Sequence, residues 1–135
     1  NTFTNNSTIN LGNSYITINS SGNSIQNFYN YGSIITTNNY SLDTTGTNNG
    51  GFKNIYNYGY ISGYVYLAGS ESNTTNITNY GTMGGVNSNG GGNNKTIIID
   101  NRGVINLVDN GQKFHFNTKL IIKNYAMMID ETHYE

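Results

Sequence analysis

The chain has no cysteine, no proline and no tryptophan, and its 135 residues include only six Lys plus Arg and seven Asp plus Glu. The lack of cysteine excludes a disulfide framework and thiolate metal sites. The net charge of −1 argues against a nucleic-acid partner, because phosphate binding needs a basic surface that displaces counterions. No apolar run approaches the ~18 residues of a membrane span, and no basic segment precedes an apolar one as in a signal peptide.

Small polar residues are abundant instead: 27 Asn, 27 Ser plus Thr and 17 Gly, together with 12 Tyr. Asn, Gly, Ser and Thr are poor residues for a helix interior, and tyrosine is enriched in strands. Disordered chains usually combine low hydrophobicity with high net charge, which is not the profile here. The composition therefore predicts an all-β protein in which hydrogen bonds satisfy many side-chain amides.

An internal repeat centred on Asn-Tyr-Gly runs through the chain. Its copies are Phe28–Ile34, Ile55–Ile61, Ile77–Met83, Ile99–Ile105 and Ile122–Met128. Their asparagines are Asn30, Asn57, Asn79, Asn101 and Asn124, at successive spacings of 27, 22, 22 and 23 residues. The period is thus about 22 residues, with one insertion of five.

The residues that flank each Asn distinguish the true copies of the repeat from Asn-x-Gly triplets that occur by chance. Eight Asn-x-Gly triplets occur in the chain, but only four have large apolar residues both two positions before and four positions after the Asn. Those four are the first four copies of the repeat, and the fifth copy has Ala126 in place of Gly. Asn10-Leu11-Gly12 has Thr8 and Ser14 at the flanking positions, and we interpret it as a degenerate first copy.

A repeat of about 22 residues whose apolar positions alternate with a period of two predicts one coil of a parallel β-solenoid, or β-helix. We expect five to six coils, wound right-handed as parallel β crossovers are. Stacked coils would place the apolar flanks in two inward columns. The first column is Phe28, Ile55, Ile77, Ile99 and Ile122, and the second is Ile34, Ile61, Met83, Ile105 and Met128.

Each repeat Asn has a predicted structural role at a corner of the coil. Its side-chain amide can hydrogen-bond the Asn of the next coil, so that Asn30, Asn57, Asn79, Asn101 and Asn124 form an amide ladder. The Gly two positions later is expected to supply a positive φ. Ala126 departs from this pattern, and the last coil is expected to bend differently.

Further strands are predicted at Tyr15–Ile18, Tyr64–Leu67, Thr96–Ile99, Lys113–Phe116 and Leu120–Ile122. The stretches Thr37–Gly51 and Asn87–Asn94 are so rich in Asn, Gly, Ser and Thr that we expect loops leaving the coil, the first of them holding the insertion. We expect residues 1–135 to be a single β-helix segment of a longer protein. Terminal coils expose unpaired backbone, so end-to-end or lateral self-association is an expected partner interaction.

The recurring Asn-Tyr-Gly-x-Ile, with Ile two positions before the Asn, resembles the passenger-domain repeats of Gram-negative autotransporters (type V secretion). Within that group it is most similar to the adhesin-like and vacuolating-cytotoxin-like passengers, and the resemblance covers about Phe28 to Ile129. It implies display at the cell surface or secretion, and a role in adhesion to a host-cell protein or glycan. No catalytic residue is carried over, and no cofactor is implied. The other readings are a fragment of a carbohydrate-active β-helix enzyme and a passenger segment of a secreted toxin.

The residue after each repeat Asn should point outward by strand alternation. These residues are Tyr31, Tyr58, Tyr80, Arg102 and Tyr125, which we call the Tyr/Arg stripe. Tyr and Arg are favoured at recognition surfaces, so the stripe is the candidate binding site. Stacking of the rings and a cation–π contact of Arg102 could equally serve the stability of the coil alone.

Evidence for an enzyme is weak in the sequence. The seven acids are scattered at about one per coil, whereas glycosidases need a carboxylate pair. Asp100 beside Arg102 is expected to be a surface ion pair. His133 with Asp130, Glu131 and Glu135 could hold a metal, but this is the chain end, where disorder is the default, so we predict no metal site.

One modification site is predicted. Glu71-Ser72-Asn73-Thr74-Thr75 fits the acidic-extended N-glycosylation sequon, with Asn73 as the acceptor in a loop.

Overall fold

The computed structural model describes residues 2–17, 25–43, 52–68, 74–89, 96–107, 115–116 and 119–129, with the backbone alone at residues 25–26, 68, 88–89 and 115–116. These residues form short strands separated by tight corners. In chain order the strands are β1 (Thr2–Asn5), β2 (Thr8–Asn10), β3 (Ile16–Thr17), β4 (Ile25–Asn30), β5 (Ser33–Ile35), β6 (Tyr40–Asp43), β7 (Phe52–Asn57), β8 (Tyr60–Ile61), β9 (Tyr64–Ala68), β10 (Thr74–Asn79), β11 (Thr82–Met83), β12 (Val86–Asn89), β13 (Thr96–Asn101), β14 (Val104–Asn106), β15 (His115–Phe116), β16 (Lys119–Asn124) and β17 (Met127–Ile129).

The strands assemble into three parallel sheets in which every third strand is a neighbour. Sheet A has the order β1-β4-β7-β10-β13-β16, sheet B the order β17-β14-β11-β8-β5-β2, and sheet C the order β15-β12-β9-β6-β3. The chain therefore passes from A to B to C in each coil and then climbs to the next coil. This confirms the predicted parallel β-solenoid; among the described residues sheets A and B each have six strands and sheet C has five.

The interior is filled by the inward residues of the three sheets, which lie in columns because the strands are in register. Both predicted columns are present: Phe28 pairs with Ile55 in sheet A, and Ile34 pairs with Ile61 in sheet B. Sheet C adds a third column, which the repeat did not predict. The fully buried members are Phe28, Ile55, Ile77 and Ile99 in sheet A, Ile34, Ile61, Met83 and Ile105 in sheet B, and Leu42, Val65 and Val86 in sheet C.

The prediction of a loop over Thr37–Gly51 is partly wrong. The stretch Thr37–Gly51 contains strand β6, whose Leu42 is fully buried beside Val65, because one well-placed apolar residue suffices to anchor a short strand in a column that neighbouring coils already form. Most of the five-residue insertion lies in a longer corner before this strand and at a bulge within it, between Tyr40 and Leu42. Residues 44–51 lie outside the described residues.

The second predicted loop also begins with strand. Val86–Asn89 pairs in register with Val65–Ala68 of the preceding coil, so the backbone of Asn87 to Asn89 stays within sheet C. Residues 90–94 of that predicted loop lie outside the described residues. No helix long and apolar enough to cross a membrane occurs in the described part of the chain.

Candidate functional site

The corner between sheets A and B carries an inward Asn in each coil, at the end of each sheet A strand. Asn30, Asn57, Asn79 and Asn101 are completely buried. Successive side chains are joined by a hydrogen bond of 2.8 Å from Nδ2 of one Asn to Oδ1 of the next. The amide ladder thus runs along the axis of the solenoid, as the repeat predicts.

The same amide group also closes the corner. The Nδ2 of Asn79 donates to the carbonyl of Gly81 in its own coil at 3.1 Å and to the carbonyl of Val104 in the next coil at 3.0 Å. Its Oδ1 accepts from Asn57. Because asparagine has a donor and an acceptor on one short planar group, it satisfies buried backbone and side-chain groups that an apolar residue would leave unpaired. The high Asn content therefore reflects hydrogen bonds in the interior of the solenoid as well as the turns.

The ladder begins one coil before Asn30, at Asn5, and the interpretation of Asn10-Leu11-Gly12 as the first copy of the repeat is wrong. Asn5 Nδ2 donates to Asn30 Oδ1 at 2.8 Å. Asn10 instead lies in sheet B and caps a turn by accepting from the backbone N–H of Gly12. The flanking residues are sufficient to identify Asn5 as part of a copy, because Phe3 and Ile9 stand at the two apolar positions. This copy is not an Asn-x-Gly triplet, because Ser7 stands in place of the Gly.

The repeat glycines are needed for close packing, and the predicted positive φ is wrong. Among the described glycines only Gly12 and Gly63 have a positive φ. At Gly81 a Cβ atom would lie 1.9 Å from the carbonyl oxygen of Gly59 in the coil below, and the same oxygen accepts a 2.8 Å hydrogen bond from Thr82. The corner glycines therefore let neighbouring backbones approach closely enough to bond.

The last coil accommodates Ala126 within the same pairing. Asn124 still pairs with Asn101 and Met127 with Val104. The hydrogen bond from Met127 N to the Gly103 carbonyl is 3.2 Å, against 2.8 Å for the equivalent bond one coil earlier. A methyl group at this corner is thus tolerated with a longer contact in this coil.

The Tyr/Arg stripe lies on the outer surface directly over the amide ladder, because each of its residues follows an inward Asn. Tyr31, Tyr58, Tyr80 and Tyr125 are 44 to 65% exposed. The rings of Tyr31, Tyr58 and Tyr80 stack nearly parallel, with centroids 4.9 and 5.1 Å apart. The coil spacing of a parallel sheet sets this distance, so the stack is a consequence of the register.

Arg102 continues the stripe with a cation in place of a ring. Its guanidinium lies 4.9 Å from the centroid of the Tyr125 ring. Its Nε donates to Asp100 Oδ1 at 3.0 Å and its Nη2 to Oδ2 at 3.4 Å, which is the surface ion pair expected from the sequence. This hydrogen bond and the negative charge of Asp100 raise the pKa of Arg102. The guanidinium is therefore held in one orientation by two neighbours.

A second aromatic column stands beside the stripe on sheet A. Tyr29 and Tyr56 stack with centroids 4.8 Å apart, and Tyr29 lies 6.2 Å from Tyr31 with parallel planes. The sequence signal for this column is the Tyr one position before the repeat Asn in two copies, and the column was not predicted. The outer face of sheet A is thus an ordered aromatic surface two rings wide.

Another cluster of rings lies on sheet C. Tyr15, Tyr40 and Tyr64 follow one another up the sheet with centroids 4.8 and 5.4 Å apart. Tyr66 packs against both Tyr40 and Tyr64 at 5.7 and 6.0 Å. These rings are tilted against each other by 35 to 74°, unlike the nearly parallel rings of the Tyr/Arg stripe.

Stacking of the tyrosines predicts an alkaline limit to stability. Burial, followed by the neighbouring Tyr31 and Tyr80, raises the pKa of Tyr58. The folded state therefore holds this proton more tightly than the unfolded chain does. The stability is fully present below the ordinary tyrosine pKa of about 10 and is lost as the pH rises through the raised value.

We expect the urea midpoint of unfolding to be the same at pH 7 and pH 9 and lower at pH 11. Tyr58→Phe keeps the stacked ring and removes the titrating group, so its midpoint should fall less between pH 9 and pH 11. An equal fall in both proteins would show that the stack does not contribute.

Several predicted residues lie outside the part of the chain that the structure describes. They are the glycosylation acceptor Asn73, the terminal group Asp130, Glu131, His133 and Glu135, and the acids Glu71 and Asp109. The carboxylates that are described, Asp43 and Asp100, lie on sheets C and A respectively. Among the described residues no three His, Cys, Asp or Glu side chains come together as metal ligands would.

Fold and surface together define this chain as a parallel β-solenoid with a buried amide ladder and an exposed, ordered aromatic face. No protein-family model, no curated protein and no solved structure matched the chain.

Proposed function

We propose that this chain is a non-catalytic β-helix segment of a surface-displayed or secreted protein, and that it mediates adhesion through the outer face of sheet A. The observation that carries the proposal is the Tyr/Arg stripe, an exposed row of stacked rings that the fold itself does not cover. Rings that are ordered before binding lose little side-chain entropy on contact, and Tyr and Arg are enriched at the energetic centres of interfaces. The partner we propose is a protein or glycan of a host-cell surface.

The repeat supports a more specific setting. Each Asn-Tyr-Gly copy forms one corner of a coil, so the features that resemble autotransporter passengers are the ones that build the solenoid. A stacked solenoid is compatible with such a passenger domain, and we propose the outer surface of a Gram-negative bacterium, or the medium around it, as the location. The coil specifies the scaffold, and the outward residues specify what it binds.

A double substitution in the stripe tests the proposal. Asn6 occupies the stripe position of the first coil, so Tyr58→Asn with Tyr80→Asn introduces a residue that the corner already accepts. We expect binding of the purified protein to cultured epithelial cells to fall ~30-fold, which corresponds to the ~2 kcal/mol loss that defines an interface hot spot. Cell-bound protein is measured by flow cytometry over a concentration series.

Tyr60 provides the matched control. It is 42% exposed, similar to Tyr58, but it lies on sheet B. Tyr60→Asn should leave cell binding within about two-fold of the native value. Equal losses in the two variants, no loss in the double variant, or no cell binding by the native protein would each contradict the proposal.

A further inference from the structure

Tyr56 has one ring face that no ring among the described residues covers. Tyr29 stacks on one side of it at 4.8 Å. On the other side the outward residue of the next coil is Thr78, which is paired with Tyr56 across the sheet and has no ring. In the stripe beside it, Tyr58 is instead stacked on both faces, by Tyr31 and Tyr80. The aromatic column on sheet A therefore stops at Tyr56 and leaves an apolar ring face open.

A depression of about 300 Å³ occupies the place where the next ring would lie. This volume is at the lower end of the ~300–1,000 Å³ typical of small-molecule sites. Its lining includes Tyr56, Thr78, Asp100 and Lys123, which pair in succession across sheet A. The amide side chains of Asn54 and Asn76 line one side.

The polar groups around the depression are held in place before any ligand binds. Asn76 donates to Asn54 at 3.1 Å, which fixes both amide planes. The two oxygens of Asp100 accept from Arg102, and each keeps a free direction for a further donor. The site therefore offers a flat apolar face, a carboxylate acceptor, amide groups and a hydroxyl within one shallow concavity.

This combination fits a ring that is apolar on its face and carries hydroxyl groups on its edge. A cationic ligand is disfavoured, because Arg102 and Lys123 already outnumber the single charge of Asp100. A flat aromatic ligand would leave the amides and the carboxylate without partners. Glycoside cleavage uses a pair of carboxylates, and Asp100 is the one carboxylate among the described residues that line the depression.

We propose that the depression is a carbohydrate subsite, in which a neutral hexopyranose unit of a glycan stacks on the free face of Tyr56 and hydrogen-bonds to Asp100, Asn76 and Thr78. The subsite rests on the proposed adhesion function and names its ligand class. It lies next to the Tyr/Arg stripe, so a longer glycan can contact both.

The test fills the subsite without disturbing the coil. Thr78→Tyr extends the Tyr29–Tyr56 column by one ring and occupies the depression. Thr4→Tyr is the matched control, because Thr4 pairs with Tyr29 at the other end of the same column. Both substitutions exchange one good strand residue for another on the outer face and add one stacking neighbour. We expect both variants to keep or raise the thermal unfolding midpoint.

Binding is measured on an immobilised panel of neutral oligosaccharides that end in glucose, galactose, mannose or N-acetylhexosamine. The native protein should bind at least one of them. Thr78→Tyr should lose that binding by ten-fold or more, and Thr4→Tyr should stay within two-fold. Retained binding by Thr78→Tyr, equal loss in both variants, or no binding by the native protein to any member would overturn the subsite.

The two proposals fail in different ways. If the native protein adheres to cells, and the double stripe variant does not, but the panel gives no binding, the subsite is wrong and the adhesion function stands. If the native protein binds neither cells nor panel, both are wrong.

Discussion

Replacing Asn79 with Asp is expected to destabilise the protein by about 3–5 kcal/mol at neutral pH, the effect of an uncompensated buried charge. The substitution preserves the shape of the side chain but converts its donor group into an acceptor. That group now faces the carbonyls of Gly81 and Val104 and the Oδ1 of Asn101, all of which require a donor. Only the amide of Asn57 still points a donor at the site.

The loss should depend on pH. Burial among acceptors raises the pKa of the introduced carboxyl, because both factors oppose its charged form. A protonated carboxyl donates one hydrogen bond, so the folded state is relatively favoured below the raised pKa and disfavoured above it. The deficit in unfolding free energy should therefore shrink from pH 7 toward pH 4.

Asn54→Asp is the control, because it makes the same chemical change at a position that solvent can reach. Asn54 belongs to an outer amide row, in which it donates to Asn27 at 3.0 Å and accepts from Asn76, and it is only half-buried. Its loss should be about 1 kcal/mol, the net value of an ordinary hydrogen bond. Urea unfolding followed by circular dichroism gives both values. Similar losses at the two positions would show that the buried ladder has no special importance.

Replacing Gly81 with Ala is the second large effect, and we expect a loss of at least about 3 kcal/mol, the upper end of what overpacking costs. The new Cβ would overlap backbone atoms of Gly59 and Tyr58, which cannot move as a flexible side chain would. Relieving the overlap means separating two coils at a corner where Thr82 donates to Gly59 and Val104 donates to Gly81. Ala126 is tolerated because its coil lengthens the contact on one side, whereas Gly81 is bonded to coils above and below.

Gly12→Ala separates packing from backbone conformation. Gly12 has a φ of +57° but open space where a Cβ would lie. Only the left-handed conformation is penalised there, at about 1–2 kcal/mol. If the corner glycines served mainly to supply a positive φ, Gly12→Ala would be the more damaging variant; close coil packing predicts the reverse order. Urea midpoints of the two variants decide between these explanations.

The repeat predicted the coil, the two apolar columns that flank the repeat Asn and the place of the Asn ladder, because a fixed spacing makes equivalent residues stack. It missed Asn5, where Ser7 replaces the corner glycine, and β6, whose buried Leu42 stands in a polar stretch. Both were hidden by local composition, whereas the neighbouring coils impose the register. The reason for the corner glycines was also wrong, since contacts between coils do not show in the sequence.

The outer surface, too, could be predicted only in part. Strand alternation alone was enough to place the Tyr/Arg stripe on one line. The depression at Tyr56 was not predicted, because only the residue after each repeat Asn was considered, whereas Tyr29, Tyr56 and Thr78 stand one position before it. Such gaps in an otherwise regular stack are where a solenoid of this kind can acquire a binding site.

The coils stack in parallel register around one buried Asn ladder. The most direct test is an NMR measurement of nuclear Overhauser effects from the side-chain amide protons of Asn79. We expect cross-peaks to the side chains of Asn57 and Asn101, each 22 residues away in sequence, and slow solvent exchange of these protons. Cross-peaks confined to residues near Asn79 in sequence, or amide protons that exchange as fast as those of exposed asparagines, would contradict it.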